Sequence, residues 1–277
     1  FAQTNTEIDG NTDGNLAFVQ DGMITAHGLD NRSVYIILDE GAVLKDFGGM
    51  SAVYATLNAN IIMKDGSVIK DEKVEERKKS DNSPKGETGP AGAVWLQGSR
   101  FIMENGASIE NVIGRAVYAD GGNAEIDGKI SNITDSKDIW QGKTGSAVHI
   151  RGDAEVTLGE NFLMDNEEIE ESLSSAVYNC GGKLDMKYGA VMRNLKGTVI
   201  SGVGSGRVEI IMDGEIYGIE GGHIIDLNND AANLYCKIGE NGYIHDNNVW
   251  YGSIYMQGKG IHLDHYGRIE DNYSTDK

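Results

Sequence analysis

The sequence contains little proline, cysteine or positive charge. Of its 277 residues only 2 are Pro and 2 are Cys, and 24 Lys and Arg face 43 Asp and Glu, a formal net charge of -19. The two cysteines, Cys180 and Cys236, cannot build a disulfide scaffold and lack the close pairing of a zinc site. The negative charge disfavours nucleic-acid binding, because phosphates are contacted by Lys and Arg.

Long hydrophobic runs are also missing. No apolar stretch approaches the roughly 20 residues that cross a bilayer, so we expect no membrane span in this segment. The chain opens on Phe1-Ala2-Gln3-Thr4, which contains neither an initiator Met nor a signal peptide. We therefore expect a piece of a longer protein with neighbouring domains, whose acidity suits the extracellular space.

Glycine, in contrast, is abundant and marks an internal repeat. The 38 Gly residues have no three-residue period, which excludes collagen. Segments 61–71 (IIMKDGSVIKD), 101–111 (FIMENGASIEN) and 184–194 (LDMKYGAVMRN) share alternating apolar residues, a Gly turn, an apolar residue and then Asp or Asn. We recognise ten copies of this pattern, and Asn161 replaces the turn Gly in one of them. The turn glycines are Gly22, Gly41, Gly66, Gly106, Gly128, Gly189, Gly214, Gly242 and Gly267.

The recurring turn residue predicts one backbone conformation. Gly and Asn take positive φ at the least cost, so we expect that conformation at every copy. An apolar residue two positions later, such as Val43 or Ile130, is predicted to face the interior. Five positions after the turn, Asp and Asn are expected to form a polar ladder that bonds along a corner. Its members are Asp46, Asp71, Asn111, Asn166, Asn194, Asn247 and Asn272.

A coil stacked on itself explains why one residue type recurs at one corner, which an array of hairpins would not require. We therefore predict an all-β, right-handed parallel β-helix of about ten rungs, where a rung is one turn of the coil. Residues 1–277 would form a single domain, with an irregular or capping segment at 1–15 and coils at 16–272. Both prolines fall in segment 72–91, which we interpret, with 134–145 and 165–174, as a loop insertion.

A second motif, a small residue followed by Val and an aromatic, precedes most copies. If its Val points inward, strand alternation places the aromatic side chains in an exposed strip that could stack on sugars or anchor a protein. The alternative is that the column only packs, inward or beneath the loops. The candidate binding residues are Tyr54, Trp95, Tyr118, His149 and Tyr178, with Trp140 as an exposed loop residue. Trp250 is expected to pack at the edge of the core.

The repeats at 51–71, 114–132 and 175–194 resemble those of bacterial adhesin-like and polymorphic outer-membrane-protein-like β-helices, within the pectin-lyase-like superfamily. The resemblance covers roughly residues 16–272. It implies a bacterial protein at the cell surface or secreted, and a module of a long adhesin-like chain.

The same superfamily includes polysaccharide lyases and glycoside hydrolases. Hydrolysis uses two carboxylates about 5 to 9.5 Å apart, but outward acids on neighbouring rungs meet that distance easily, so the criterion discriminates poorly. The catalytic motifs of polygalacturonases are missing, and we assign no catalytic residue. His245, His262 and His265 lie near Asp246 and Asp264, but we expect a solvated cluster without a metal. No cofactor is expected, with adventitious calcium at acidic corners left open.

The sequence thus favours a non-enzymatic extracellular β-helix module of a bacterial surface adhesin-like protein that binds a glycan or a host or cell-surface protein. A polysaccharide lyase or glycoside hydrolase on the same fold is the alternative. A structural stalk or spacer is the third option.

Overall fold

A computed structural model describes residues 7–9, 24–28, 34–74, 91–134, 146–167, 173–204, 206–229 and 233–274. These residues are all-β and contain no α-helix. Within the described ranges, no helix is long and apolar enough to cross a membrane. Both cysteines are free thiols, and Cys236 is buried in the core.

The strands are numbered in chain order. The first ten are β1 (Glu7–Asp9), β2 (Ile24–His27), β3 (Tyr35–Leu38), β4 (Val43–Lys45), β5 (Gly48–Gly49), β6 (Val53–Thr56), β7 (Asn60–Met63), β8 (Val68–Val74), β9 (Val94–Met103) and β10 (Ser108–Ile113). The next ten are β11 (Val117–Ile126), β12 (Lys129–Thr134), β13 (Ser146–Arg151), β14 (Ala154–Leu158), β15 (Leu163–Asp165), β16 (Leu173–Asn179), β17 (Gly182–Met186), β18 (Val191–Arg193), β19 (Gly197–Gly202) and β20 (Val208–Met212). The last nine are β21 (Glu215–Tyr217), β22 (Ile225–Asn229), β23 (Leu234–Ile238), β24 (Tyr243–His245), β25 (Asn248–Val249), β26 (Ile254–Gly258), β27 (Ile261–His265), β28 (Arg268–Glu270) and β29 (Tyr273–Ser274).

Parallel pairing stacks most of these strands into an 11-stranded sheet, here sheet 1, and a 16-stranded sheet, whose two parts we call sheets 2 and 3. In addition, β5 pairs with β8, and β25 and β29 form a separate pair. Sheet 1 has the order β1-β4-β8-β10-β12-β15-β18-β21-β24-β28. Sheet 2 runs β2-β6-β9-β11-β13-β16-β19-β22-β26, and sheet 3 runs β3-β7-β9-β11-β14-β17-β20-β23-β27. The long strands β9 and β11 pass through both sheets 2 and 3. The parallel β-solenoid is therefore confirmed.

The solenoid has about eight turns, close to the predicted ten rungs. Within segment 1–15, predicted to be irregular or capping, the structure describes only β1, which pairs with β4 in sheet 1. The expected turn at Gly22 lies outside the described residues. The predicted insertions fall between strands: β8 extends to Val74, β12 to Thr134, and β16 begins at Leu173. The remainders of these insertions, 75–90, 135–145 and 168–172, lie outside the described chain.

One continuous apolar core fills the coil. Its register in sheet 1 confirms the predicted interior position at Ile130, Ile216, Ile244 and Ile269 but corrects it in the other copies. The buried ladder consists of Leu44, Ile69, Ile109, Ile130, Met164, Met192, Ile216 and Ile244, and Ile269 packs against the core at its end. Val43, Val68, Leu163 and Val191 stand one place earlier and are only half-buried. The reason is that the turn Gly is the third residue of four in some turns and the last residue in others, so the interior position lies three or two places after it. Four residues separate Met103 from Ser108, whereas two separate Ile126 from Lys129.

The place of the Gly within its turn divides the turn glycines: it is the third residue of four in one group, and the last residue of a two- or four-residue turn in the other. Gly41, Gly66, Gly106 and Gly189 have the predicted positive φ and lie in four-residue turns. Gly128, Gly214, Gly242 and Gly267 do not adopt it, so a single conformation at every copy is wrong. There, an added Cβ would lie 2.3 to 2.6 Å from a carbonyl oxygen of the preceding rung. These positions therefore need Gly because the rungs approach closely, not because of backbone conformation.

Two long turns are anchored by an Asp of the preceding rung. Asp127 accepts hydrogen bonds from the backbone N and the side-chain Nδ2 of Asn161, at 2.9 and 2.8 Å. Asp213 accepts one from the backbone N of Asn241 at 3.4 Å. Gly159 and Gly239 open these turns, and a Cβ at either position would meet the carboxylate within 2.1 Å. The Gly-Glu-Asn sequence thus occurs at 159–161 and at 239–241, and in both turns it forms the same contact with an Asp of the preceding rung.

The predicted polar ladder exists along one corner, but only part of it. Asn111 donates to Asp71 at 3.0 Å, and Asn132 donates to Asn111 at 3.1 Å. The residues of this corner with positive φ are Asp46, Asp71, Asn111, Asn132, Asn194, Asp246 and Asp271. The left-handed backbone conformation therefore recurs at the corner occupied by Asp and Asn, the residue types other than Gly that tolerate it best.

Three predicted ladder members have a different role. Asn166 and Asn247 are buried, and each bonds to the backbone of the preceding rung, at Ile133 and at Ile216 and Ile219. Asn272 donates to the carbonyl of Ile244 and accepts from Asn247 at 2.8 Å. These amides satisfy buried peptide groups instead of lining an exposed corner.

One buried carboxyl group stands in the apolar interior. Glu72 of β8 pairs with Val112 and is 1 % exposed. Neither of its carboxyl oxygens makes a hydrogen bond of ordinary geometry, although the Phe47 backbone lies close enough to oppose part of the increase in its pKa. Burial raises the pKa of Glu72 to about 9, and the nearby Asp46 and Asp71 contribute to the increase. A charged carboxylate is costly here, so the group is protonated at neutral pH.

Candidate functional site

The aromatic motif forms a column on the outer side of sheet 2. Strand pairing aligns Thr25, Tyr54, Trp95, Tyr118, His149, Tyr178, Ser201, Asp226 and Tyr255 in consecutive rungs. Their Val and Ile neighbours, such as Val148 and Ile225, belong to the core. The predicted alternation, with Val inward and the aromatic residue outward, is therefore found.

The aromatic rings of this column stack on one another, but they do not form the exposed strip that was predicted. Ring centroids are 4.1 Å apart for Tyr54 and Trp95, and 4.7 Å for Tyr118 and His149. All four side chains are buried, so the predicted exposure is wrong for them. With Met50, Tyr54, Trp95 and Tyr118 form an apolar cluster of their own, separate from the core. For these four residues the alternative holds, in which the column only packs.

Polar groups surround the middle of the column. The Arg115 guanidinium lies 5.3 Å from the ring centre of Tyr118, and Arg151 donates to the Tyr118 hydroxyl. Cys180 Sγ lies 3.5 Å from His149 Nε2, whereas His149 Nδ1 has no partner. The sequence offered no sign of this cluster, because these residues come together only through the stacking of rungs.

The Cys180 and His149 pair is not an activated nucleophile. Burial lowers the pKa of His149 well below its usual value, and Arg115 and Arg151 lower it further. Burial raises the pKa of the Cys180 thiol. Both groups are therefore neutral near pH 7, whereas a nucleophilic cysteine needs a lowered pKa.

The aromatic column is interrupted after Tyr178. The next two positions are Ser201 and Asp226, and Tyr255 follows them. We call these four residues the notch. Since strands are about 4.8 Å apart, its two tyrosines are about 14 Å apart along the stack. Two small polar side chains form the floor between two aromatic walls.

Groups in the notch are only partly shielded from water. Tyr178 is half-buried and Tyr255 is exposed. Asp226 is also half-buried, and its Oδ1, which is closed to solvent, has no hydrogen-bond partner. Burial raises the pKa of Asp226, and His223 partly opposes this. Burial raises the pKa of Tyr178 to about 12, so its hydroxyl stays protonated and able to donate.

Further aromatic residues extend the Tyr255 wall. His223 stacks on Tyr255 with ring centroids 5.3 Å apart, and lies 5.6 Å from Tyr251. His223 Nδ1 is 3.0 Å from the carbonyl of Gly252, which fixes the ring. Tyr251 and Trp250 are exposed, so the prediction that Trp250 packs at the core edge is wrong. Its backbone carbonyl instead accepts a hydrogen bond from Ser274 at 2.6 Å.

Sequence reasoning identified Tyr178 but missed Asp226, Tyr251 and Tyr255. A signal was present in the looser copies of the motif, since Tyr255 follows Ile254 as Tyr178 follows Val177. Trp140 lies outside the described residues.

The C-terminal histidines do not converge. His245 is held by Glu215 and Asp246, at 2.8 and 2.7 Å, and lies between the rings of Tyr217 and Tyr243. His262 contacts Asp264 at 3.0 Å in a different sheet. No group of three or more His, Cys, Asp or Glu within the described ranges is arranged to hold a metal ion.

Comparison with known proteins adds no family: no family model, curated protein or solved structure matches this chain.

Proposed function

We propose that this chain is a non-enzymatic extracellular module of a bacterial surface adhesin-like protein, and that its notch binds a glycan. The adhesin and surface-location parts draw support from the resemblance of the repeats at 51–71, 114–132 and 175–194 and from the net charge of -19. The glycan part rests on one observation. The aromatic column opens at Ser201 and Asp226 between two tyrosines.

The chemistry of the notch suits a sugar. The apolar faces of pyranose rings pack on aromatic rings, and Tyr178 and Tyr255 offer such surfaces at either end. Asp226 is half-buried, so its carboxyl group can accept a hydrogen bond from a sugar hydroxyl at the notch floor. The Ser201 hydroxyl adds a short donor and acceptor on the floor. A few fixed polar groups between apolar walls are typical of small-molecule sites.

The exposed aromatic residues beyond Tyr255 suggest a longer ligand. Tyr251 continues the wall through His223, and Trp250 precedes it in the chain as a second exposed aromatic residue. A glycan of several residues could contact these side chains with the sugars that lie outside the notch. Tyr and Trp provide large contact area at low conformational cost, which favours them at binding surfaces.

Hydrolysis is less well supported than binding. Inverting and retaining glycosidases both use two carboxyl groups on either side of the bond. Among the four residues of the notch only Asp226 carries one. Burial also leaves the neighbouring Cys180 thiol and the His149 imidazole neutral. The polysaccharide lyase or hydrolase remains the alternative, and a stalk or spacer the third option.

A glycan array, run beside assays for reducing sugars and unsaturated products, tests the proposal. We expect binding to a subset of glycans without turnover. Tyr255→Ala should weaken binding of the best ligand at least about tenfold, because an aromatic anchor contributes more than about 1.4 kcal/mol. Tyr188→Ala is the control, since Tyr188 is more exposed but lies in a turn between sheets 3 and 1.

The outcomes separate the three functions. Turnover of any polysaccharide would support the enzyme and contradict the proposal. Silence in the array and in both assays would favour a stalk or spacer. Equal loss of binding in both tyrosine variants would remove the notch as the site.

A further inference from the structure

The floor of the notch holds a carboxyl group without a counter-charge. Asp226 is half-buried, and within the described residues it makes no hydrogen bond or ion pair. Other half-buried carboxylates of the outer surface have cationic partners. Asp165 lies 2.8 Å from Arg193. Asp185 lies 2.9 Å from Lys187. A partly desolvated carboxylate with no partner is costly, so Asp226 is suited to a ligand that supplies the missing positive charge.

The notch opens at the side of the solenoid. Ser201 of β19 and Asp226 of β22 lie two rungs and one rung before β26, the last strand of sheet 2. The floor therefore faces outward from the lateral surface and not from the end of the stack. Since Oδ1 of Asp226 is closed to solvent, a ligand reaches the carboxylate through Oδ2.

Aromatic rings stand beside this carboxylate. Tyr255 is the register partner of Asp226 in the next rung, about 4.8 Å away along the stack. His223 stacks on Tyr255 with ring centroids 5.3 Å apart, and Tyr251 lies 5.6 Å from His223. The face of a Tyr ring attracts a cation, and aromatic rings around an ammonium group are a common means of recognising it. The rings and the carboxylate therefore favour the same kind of ligand group.

The charge of the whole chain acts in the same direction. A net charge of -19 attracts cationic ligands and repels anionic ones. An acidic sugar such as a uronate would bring a second negative charge next to Asp226, which is unfavourable at short range. A neutral sugar would leave the carboxylate without a counter-charge.

We propose that the sugar bound in the notch carries a free amino group, so that the preferred ligand is a glycan with an amino sugar whose ammonium pairs with Asp226. The inference rests on the proposed function, because it specifies the ligand of the same site. Where the ammonium and a hydroxyl are neighbours on the ring, both can donate to one carboxylate. Acetylation of the amine removes its charge, so the N-acetyl form should bind less tightly.

A glycan array of matched triplets tests the inference. Each glycan is presented with a free amine, an N-acetyl group or a hydroxyl at one position of one sugar, and acidic sugars are included. We expect the 277-residue chain to bind the amine form at least about tenfold more tightly than the other two forms. Salt should reduce this preference, because it screens the ion pair.

Asp226→Asn keeps the shape of the side chain and removes its charge. This variant should bind the three forms about equally. Glu155→Gln is the matched control, since Glu155 is exposed on sheet 3 and its loss changes the net charge by the same amount. Thermal unfolding checks that both variants fold. Because Asp226 has no partner to lose within the described chain, Asp226→Asn should not lower the melting temperature.

The outcomes separate this inference from the proposed function. An amine preference lost in Asp226→Asn and kept in Glu155→Gln supports it. A preference that persists in Asp226→Asn, or that both variants lose equally, overturns it. Preference for a neutral or acidic form, with binding still weakened by Tyr255→Ala, overturns the inference and leaves the proposed function standing. Binding to no glycan overturns both.

Discussion

The Asp127 carboxylate accepts two hydrogen bonds from Asn161, one from the Asn161 backbone N at 2.9 Å and one from its side-chain Nδ2 at 2.8 Å. The two residues belong to different rungs, so one carboxylate fixes the turn that follows it in the stack. Gly159 makes room for that carboxylate. The contact shows how the turns of one rung depend on the rung before it.

Asp127→Ala should destabilise the protein by about 1 to 2 kcal/mol, because two hydrogen bonds to a charged group are lost. Asp213→Ala should cost less, since Asp213 accepts a single longer bond of 3.4 Å from Asn241. Urea unfolding of both variants, and of Asn161→Ala alone and combined with Asp127→Ala, measures the coupling. Additive effects of Asp127→Ala and Asn161→Ala would contradict the account.

Gly128→Ala should be strongly destabilising although Gly128 has an ordinary φ. Its added Cβ would lie 2.3 Å from the carbonyl oxygen of Ala107, so the rungs would have to separate, at a cost of about 1 to 3 kcal/mol. At Gly48 an added Cβ meets nothing within 4 Å, so Gly48→Ala is the control. Thermal unfolding compares the two variants. Equal melting temperatures would show that the close approach of the rungs is not the reason why position 128 requires Gly.

Glu72→Gln should stabilise the protein more as the pH rises. The pKa of Glu72 is about 9 in the folded state, against 4.5 for an ordinary Glu. Between these values the unfolded state binds fewer protons, so the wild-type free energy of unfolding falls by up to about 1.4 kcal/mol per pH unit. Gln does not titrate, so the variant should lack this pH-dependent fall in the free energy of unfolding. Urea unfolding at pH 5, 6.5 and 8 measures the difference, and a constant difference between variant and wild type would refute the assignment.

His245 should contribute stability below neutral pH and lose it above. Burial lowers its pKa, but hydrogen bonds to Asp246 and Glu215 outweigh this and raise the pKa above 6.5. The contribution is therefore complete below pH 6.5 and disappears as the pH rises through the folded-state value. His245→Gln should cost more at pH 5.5 than at pH 8.5. An NMR titration of the imidazole gives the pKa directly, and a midpoint below 6.5 would contradict the geometry.

Much of the fold could be predicted from the sequence, because stacking imposes the same demand on every rung. Ten copies of one pattern, with Gly or Asn at the turn, are enough to indicate a solenoid. The detailed register was missed because the Gly is the third residue of four in some turns and the last residue in others, which shifts the interior position relative to the Gly by one. Gly242 occupies the fourth place of its turn, where Ala42 and Ala107 occupy the same place in theirs.

The candidate site was less predictable. The column of Tyr54, Trp95 and Tyr118 follows from the repeat, but a pattern of residue types does not state whether the outer face of a sheet is covered. The notch depends on what is absent from the column, namely an aromatic residue at Ser201 and Asp226. A search for departures from the repeat would have found it.

A crystal soaked with the best glycan from the array tests the central claim most directly. The account predicts a sugar ring between Tyr178 and Tyr255, with a hydroxyl donating to the Asp226 carboxyl group. An ordered sugar on another surface, with the notch free of ligand, would contradict it.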